Sequence, residues 1–199
     1  MIEKYSASAI NHLFWFLEFK KYINLLTEGK TNDDIKQLSI NENVFSASTK
    51  ARADKIYNIV SKRVKSLDDS FYTVFLNGDL ATQKLITLIS IMMTDRLFFD
   101  FIYEVIREKI IIGSNEVSES DIRIFFNNKQ SQYEKVANWT DYTIKKLGSS
   151  YKSMLYEAGV LEKANNTRKI YKPILEQSLK TCLENNNMGF IIKALTGVR

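Results

Sequence analysis

The chain has 199 residues and a single proline, Pro173, and this scarcity constrains its fold more than any other feature. Proline removes a backbone donor and ends helices, so the residues before position 173 are free to be helical. Apolar residues recur there at three- and four-residue spacing, which is typical of amphipathic helices packed on a core. We therefore predict an all-α protein, a helical bundle with one small β-hairpin.

Six helices are predicted in the first part of the chain: 6–27, 31–38, 46–67, 68–76, 80–93 and 95–112. The segment 85–93 is apolar on almost every side, so we expect it at the centre of the bundle. Gly113-Ser-Asn115 interrupts the pattern, and the net charge changes from acidic to basic after it. We place a boundary there, between an N-terminal helical subdomain (1–115) and a second subdomain (116–199).

The second part has the order of a winged helix-turn-helix. A helix that begins after Ser118 is followed by a short helix near 130–137, a turn and a third helix over 140–158. Asn165-Asn166 then predicts a hairpin turn within 160–172, because asparagine tolerates left-handed backbone geometry. We expect this hairpin to contain the only strands of the protein, with terminal helices after it.

One face of the 140–158 helix predicts DNA binding. Ile144, Leu147, Tyr151 and Leu155 form an apolar face, whereas the opposite arc contains no acidic residue. Lysine neutralises phosphate and contacts guanine, and serine and tyrosine donate hydrogen bonds to the DNA backbone. Including the hairpin, the candidate DNA-binding residues are Lys145, Lys146, Ser149, Lys152, Ser153, Tyr156, Lys163, Arg168, Lys169 and Lys172.

A second candidate nucleic-acid face lies on the 46–67 helix, where Arg52, Lys55, Lys62 and Arg63 fall opposite the apolar positions. Basic residues are also expected on the outer face of any surface helix. The alternative interpretation is therefore an ordinary solvated surface. For the first face, the alternative is a winged helix that contacts only proteins, with its lysines and serines as ordinary solvent-facing residues. Gly148, inside the third helix, allows the close approach of another helix or of a phosphate, or marks a kink.

Composition excludes several classes of chemistry. One histidine (His12) and one cysteine (Cys182) cannot form a zinc cluster of the usual four His and Cys ligands, nor a disulfide framework. The seven glycines are scattered, so there is no glycine-rich phosphate loop. We predict no enzymatic activity, no catalytic residues, no metal, no cofactor and no small-molecule substrate.

The charge distribution favours a polyanionic partner. Residues 121–199 contain 13 Lys and Arg against 7 Asp and Glu, within a chain of net charge +5. A localised basic field of this kind attracts nucleic acid. The nine-residue apolar run 85–93 is too short to cross a membrane, and no signal peptide is evident. We expect a cytoplasmic protein without a membrane association.

Two segments resemble the BrxA family of BREX bacteriophage-exclusion systems. Trp139-Thr140 opens the third helix as in that family, and the stretch Leu155-Tyr-Glu-Ala-Gly-Val-Leu161 differs from the family pattern only at Val160. The segment from Ser46 to Val64 is similar to an Arg-rich family helix, although it contains fewer arginines. The resemblance implies a mostly helical fold related to the RNA-binding factor NusB, DNA binding, no known catalysis and a role in phage defence.

The predicted function is therefore a non-catalytic, duplex-DNA-binding component of a BREX-type defence system. Its other expected partners are BREX proteins. Two alternatives remain: a protein–protein adaptor within the same complex, and an RNA-binding NusB-like factor.

Overall fold

The computed structural model describes residues 5–163 and 167–198, and these are mostly helical. Two short irregular helices accompany the α-helices: a 3₁₀ turn (Ser8–Asn11) and a π segment (Ile102–Ile106). The α-helices are α1 (Phe16–Thr27), α2 (Asn32–Asn41), α3 (Lys50–Val64), α4 (Ser70–Asn77), α5 (Leu80–Thr94), α6 (Arg96–Phe101), α7 (Arg107–Ile111), α8 (Glu119–Gln132), α9 (Glu134–Ala137), α10 (Asp141–Glu157), α11 (Gln177–Asn185) and α12 (Gly189–Thr196). The two strands are β1 (Glu116–Ser118) and β2 (Thr167–Lys169).

The first predicted helix is interrupted. Instead of one helix over 6–27, the chain has the 3₁₀ turn, an extended stretch and then α1. Trp15, just before α1, has a left-handed backbone (φ 51°) that non-glycine residues rarely adopt. Its ring is buried and the Arg63 guanidinium lies 5.7 Å from the ring centre. This tertiary contact, and not the local sequence, compensates the backbone cost at Trp15.

The central position of α5 is confirmed. From Leu85 to Met92 every side chain is buried, and Met93 alone in the predicted segment is partly exposed. Its polar members are satisfied within the helix, since the Thr87 hydroxyl donates to the Gln83 carbonyl at 3.0 Å. An apolar helix without a polar face therefore packs on all sides, as its pattern predicts.

The helix predicted over 95–112 is α6, the π segment and α7 in continuous succession. Beside it, Lys129 of α8 is almost fully buried and donates to Glu104 at 2.6 Å, with Asp100 at 3.5 Å. The Tyr5 hydroxyl donates to Asp100 at 2.6 Å, and the Tyr5 ring lies under the Lys129 ammonium. This network ties the N-terminal segment, the continuous helix formed by α6 and the π segment, and α8 together. It satisfies charges that would otherwise be costly to bury.

The strand prediction is only partly correct. β2 lies in the predicted region, but its ladder partner is β1, with Glu116 opposite Lys169 and Ser118 opposite Thr167 in antiparallel register. The expectation that strands would occur only within 160–172 is therefore wrong. Residues 160–162 approach the other side of β2 through a single bridge between Leu161 and Ile170. The predicted Asn165-Asn166 turn lies outside the described residues.

Buried side chains on both sides of residues 113–115 belong to one contiguous core. Phe101 of α6 contacts Phe125 of α8 edge-on, with ring centres 5.3 Å apart, and Tyr151 of α10, with ring centres 5.5 Å apart. The division into two subdomains at residue 115 stays a prediction. The shared core holds α8 and α10 rigidly against the first part of the chain.

Candidate nucleic-acid interface

Helix α10 presents the predicted polar arc outward. Its N-cap is Thr140, whose hydroxyl accepts from the Thr143 backbone NH at 3.2 Å. Leu147, Tyr151, Met154 and Leu155 are buried, and Ile144 is half-buried. On the other side, the exposed members of the predicted set are Lys145, Lys146, Ser149, Ser153 and Tyr156. The helical spacing therefore separates the two faces correctly.

At Gly148, α10 lies directly against side chains of α8. A Cβ at this position would lie 3.0 Å from Cγ2 of Ile122 and 3.7 Å from Cε2 of Phe126. Of the three possibilities left open by the sequence, the structure thus shows the close approach of another helix. The glycine allows the two helices to pack at this distance without a clash.

A groove of about 560 Å³ runs between α8 and α10. Lys145, Ser149 and Lys152 line it from α10, and Arg123 and Asn127 line it from α8. Arg123 and Asn127 are exposed residues that the sequence analysis did not select. Arg123 and Asn127 lie one helical turn apart on α8. The sequence alone does not show that this side of α8 faces α10, so it could not identify them as groove residues.

The polar arc of α10 contains no acidic residue of its own, but an acidic residue of α8 lies against it. Lys152 is half-buried and forms an ion pair with Glu119, which lies 33 positions earlier at the start of α8. Lys145 and Lys146 form no salt bridge with any carboxylate of the described chain, and Lys146 instead lies 5.5 Å from the Tyr142 ring centre. The charge available to a phosphate is therefore concentrated at the N-terminal half of α10.

The predicted residues after α10 are brought together by the strand pairing. Lys163, Lys169 and Lys172 are exposed, and the Lys169 ammonium lies 5.7 Å from the ring centre of Tyr171. Arg168 is half-buried, and its Nη1 donates to the Glu162 carbonyl at 3.4 Å. Three lysines of this segment thus remain accessible, whereas Arg168 is partly used to hold the segment.

Tyr156 lies at the other end of α10, in different surroundings. It lines a surface groove with Leu13, Leu17, Glu18 and Glu157. Leu13 and Leu17 are exposed, at 50% and 73% of their surface. Burial raises the pKa of Glu157; the Ser153 hydroxyl and Lys84 oppose this effect, and the Glu18 carboxylate adds to it. This end of the helix is apolar and net acidic, with two carboxylates against the single cation Lys84, which differs from the basic N-terminal half.

The second predicted face loses one member. Arg52, Lys55 and Lys62 are exposed on α3, but Arg63 is buried and is therefore not part of that surface. Its guanidinium donates to the Phe14 carbonyl at 2.9 Å and lies over Trp15. Burial lowers the pKa of Arg63 to about 10, although Asp95 and Glu18 oppose the effect. The prediction of Arg63 as a surface residue is therefore wrong, because Phe14 and Trp15 cover its side chain.

Neither a metal site nor a membrane span is present within residues 5–163 and 167–198. No three His, Cys, Asp or Glu side chains lie close enough together there to hold an ion. None of the helices in these ranges combines the length and apolarity needed to span a bilayer.

Comparison with known proteins agrees with the family resemblance. The family model BrxA matches residues 3–187. The chain is 42% identical over 182 residues to the BREX protein BrxA of Bacillus cereus (strain H3081.97), an alignment that covers 92% of this chain and 91% of the relative. It is 21% identical over 162 residues to the BREX protein BrxA of Escherichia coli O9:H4 (strain HS), covering 80% and 75% of the two chains.

The fold has also been observed by crystallography. The crystal structure of an uncharacterized protein from Magnetospirillum magneticum superposes with a TM-score of 0.81. The match covers 98% of this chain and 100% of the other at 17% sequence identity. At this identity the similarity establishes the fold alone.

Proposed function

The chain belongs to the BrxA family, and from this premise we propose that it is a non-catalytic BREX component that binds duplex DNA. The proposed contact surface consists of the N-terminal half of α10 and the basic segment 160–172. In a winged helix-turn-helix, the helix in the position of α10 enters the major groove, and the following wing contacts adjacent phosphates. The order of α8, α9, α10 and β2 supports this mode of binding.

The observation that carries the proposal is a group of accessible lysines from two separate segments. Lys145 and Lys146 on α10, and Lys163, Lys169 and Lys172 after it, are exposed and have no carboxylate within salt-bridge distance in the described chain. Unpaired lysines keep their full charge for phosphate, because no protein partner has to be displaced. The release of counterions from DNA then makes binding strongly salt-dependent.

The test replaces Lys145, Lys146 and Lys169 together with alanine. Each lost phosphate contact lowers the slope of log affinity against log salt by about 0.9, so we expect a decrease of about 2–3. The matched control replaces Lys30, Lys36 and Lys65, three exposed lysines outside the proposed surface, and keeps the same net charge change. Fluorescence anisotropy with a random duplex at several salt concentrations measures both slopes.

Two outcomes would contradict the proposal. If both triple variants lower the slope equally, only net charge is acting and no DNA surface exists at α10. If the parent protein binds a structured RNA much more tightly than the duplex, the RNA-binding alternative replaces the DNA-binding function. Lys152→Ala should lower the slope less than Lys145→Ala, because Glu119 already neutralises Lys152.

A specific observation also favours a protein adaptor. The exposed Leu13 and Leu17 form an apolar groove with Tyr156 at the acidic end of α10. Exposed apolar side chains that are grouped in this way are typical of protein contacts. Leu17→Ser would weaken the association with another BREX protein in co-purification and leave DNA affinity unchanged. The two functions use opposite ends of one helix and are compatible.

A further inference from the structure

A small cavity next to α3 is distinct from the proposed α10 surface. It has a volume of about 110 Å³, well above the ~10–15 Å³ that one water molecule requires. Its polar lining comes from Ser8, His12, Asn58, Lys62, Arg63, Thr94 and Asp95. Lys62 and Asn58 are exposed, so the cavity opens to the surface on the side of α3. Donors of four chemical kinds thus converge on a space large enough for a small ion.

The wall of this cavity is held in place by Arg63. Its guanidinium binds the Phe14 carbonyl and lies over the Trp15 ring, and this fixes the chain that carries His12. The His12 ring in turn lies 6.4 Å from the Trp15 ring, measured between centres. A buried charge and a strained backbone therefore maintain a preformed site at the protein surface.

Electrostatics at this cavity favour an anion. Burial lowers the pKa of His12 to about 4, and the cations Arg63, Lys55 and Lys62 of α3 lower it further. Neither Lys55 nor Lys62 has a carboxylate within salt-bridge distance in the described chain. The imidazole is thus neutral at physiological pH, chiefly because it is buried and secondarily because the neighbouring cations disfavour a further positive charge.

Two carboxylates lie near the cavity, and each is already engaged. Asp95 also lines it, but its side chain caps α6 by accepting from the Phe98 backbone NH at 3.0 Å. Asp54 accepts from the Asn58 side chain at 2.9 Å on the outer surface of α3. The remaining lining group from α10, Met154, is uncharged.

We propose that this cavity binds one tetrahedral oxyanion, a phosphate group or its equivalent, between Lys62, His12 and Asn58. Lys62 supplies the unpaired charge and Ser8 supplies a hydroxyl donor, whereas the Thr94 hydroxyl already donates to the Ser90 carbonyl at 2.8 Å. A bound dianion raises the pKa of His12, so at acidic pH the imidazole takes up a proton and donates to the ion. Binding of the anion and protonation of His12 are then coupled, and each strengthens the other.

His12 is the only histidine of the chain, so its imidazole resonances report this site without interference. Sodium sulfate is the probe, because it stays fully ionised while His12 titrates, and sodium chloride at equal ionic strength is the control. We expect sulfate, but not chloride, to raise the pKa of His12 by at least about one unit. By linkage, the affinity for sulfate should increase several-fold between about pH 7 and about pH 4.

Two variants separate the site from general charge effects. Lys62→Gln should weaken sulfate binding about tenfold, whereas the matched Lys36→Gln, on α2, should leave it unchanged. His12→Asn should retain weaker sulfate binding with a smaller pH dependence, and the remainder is assigned to Asp95, whose pKa is raised by burial. An unchanged pKa of His12 in saturating sulfate, or equal effects of the two lysine variants, would overturn the proposal.

A final arm identifies the source of the oxyanion. If a short DNA duplex shifts the His12 resonances as sulfate does, and Lys62→Gln abolishes the shift, the ion is a backbone phosphodiester and α3 is a second DNA contact. If sulfate and inorganic phosphate act but the duplex does not, the site takes a free oxyanion. Only the duplex arm depends on the proposed DNA-binding function. Failure at α10 would leave the sulfate effect intact, and failure of the sulfate effect would leave the salt dependence of α10 intact.

Discussion

The contact at Gly148 allows a prediction in which the sign of one substitution depends on a second residue. Replacing glycine by alanine inside a helix stabilises it by about 1 kcal/mol. Here the new Cβ would lie 3.0 Å from Cγ2 of Ile122, whereas carbon atoms normally pack about 3.5–4.0 Å apart. Overpacking of this kind costs about 1–3 kcal/mol, so Gly148→Ala should destabilise the protein by roughly 0–2 kcal/mol.

In an Ile122→Ala background the opposing methyl group is absent. That substitution alone should cost about 2–5 kcal/mol, because Ile122 is buried. Adding Gly148→Ala to it should then stabilise the protein by about 1 kcal/mol, so the double-mutant cycle gives a coupling of about 1–3 kcal/mol. Urea denaturation measures the free energy of unfolding of all four proteins, and equal m-values show that the four values can be compared.

The control for this cycle is Gly189→Ala, whose Cβ would meet no atom within 4 Å. Its effect should be the same with Ile122 or Ala at position 122. If Gly148→Ala lowers stability equally in both backgrounds, the contact with Ile122 does not determine the spacing of α8 and α10. The groove between these helices would then need another explanation.

Three further predictions concern the buried polar groups and the start of α10. Because the pKa of His12 is depressed to about 4, the unfolded chain binds the imidazole proton at a higher pH than the folded protein does. The contribution of His12 to the free energy of unfolding is therefore fully present above about pH 6.5 and is lost as the pH falls through about 4. Urea midpoints measured across this range should lose this slope in His12→Asn, and a slope that persists in the variant would contradict the prediction. Lys129→Met should lower the free energy of unfolding by about 1.5–3 kcal/mol, since Glu104 loses its cation while Asp100 keeps its ion pair with Arg96. Glu104→Gln should recover part of that loss, and calorimetry that shows no change would refute the network. Thr140→Ala should cost about 0.5–2 kcal/mol by removing the N-cap of α10, with Thr140→Ser restoring most of it in the same denaturation assay.

Local patterns predicted most of the helices well. The helix predicted over 140–158 is Asp141–Glu157, and that over 80–93 is Leu80–Thr94. In both, the apolar spacing is contained in the segment and the capping residue, Asp79 or Thr140, lies at its start, so no distant contact is needed to place that end. The capping box of Ser118 and Asp121 likewise begins α8 at the expected residue.

The features that sequence did not predict depend on contacts between distant residues. Arg63 has the spacing of a surface residue, but residues 12–15 cover it, and nothing near position 63 indicates this. Glu119 neutralises Lys152 only because α8 and α10 pack closely. β1 is three residues long, too short for alternation to be recognised, and forms because β2 supplies its hydrogen bonds.

The pairing of β1 with β2 has a consequence for the topology of the fold. Glu116 stands beside Lys169, 53 positions later, so the ladder closes a long loop at a single point. Closing a loop of this size carries an entropy cost that local helices do not have, and the ladder should therefore form late in folding. The segment between the strands leaves and rejoins the rest of the molecule at one place. Exchange of this segment between relatives would consequently transplant α8, α9 and α10 as one cassette, with compatibility decided by the ladder and by the aromatic contacts of Phe125 and Tyr151.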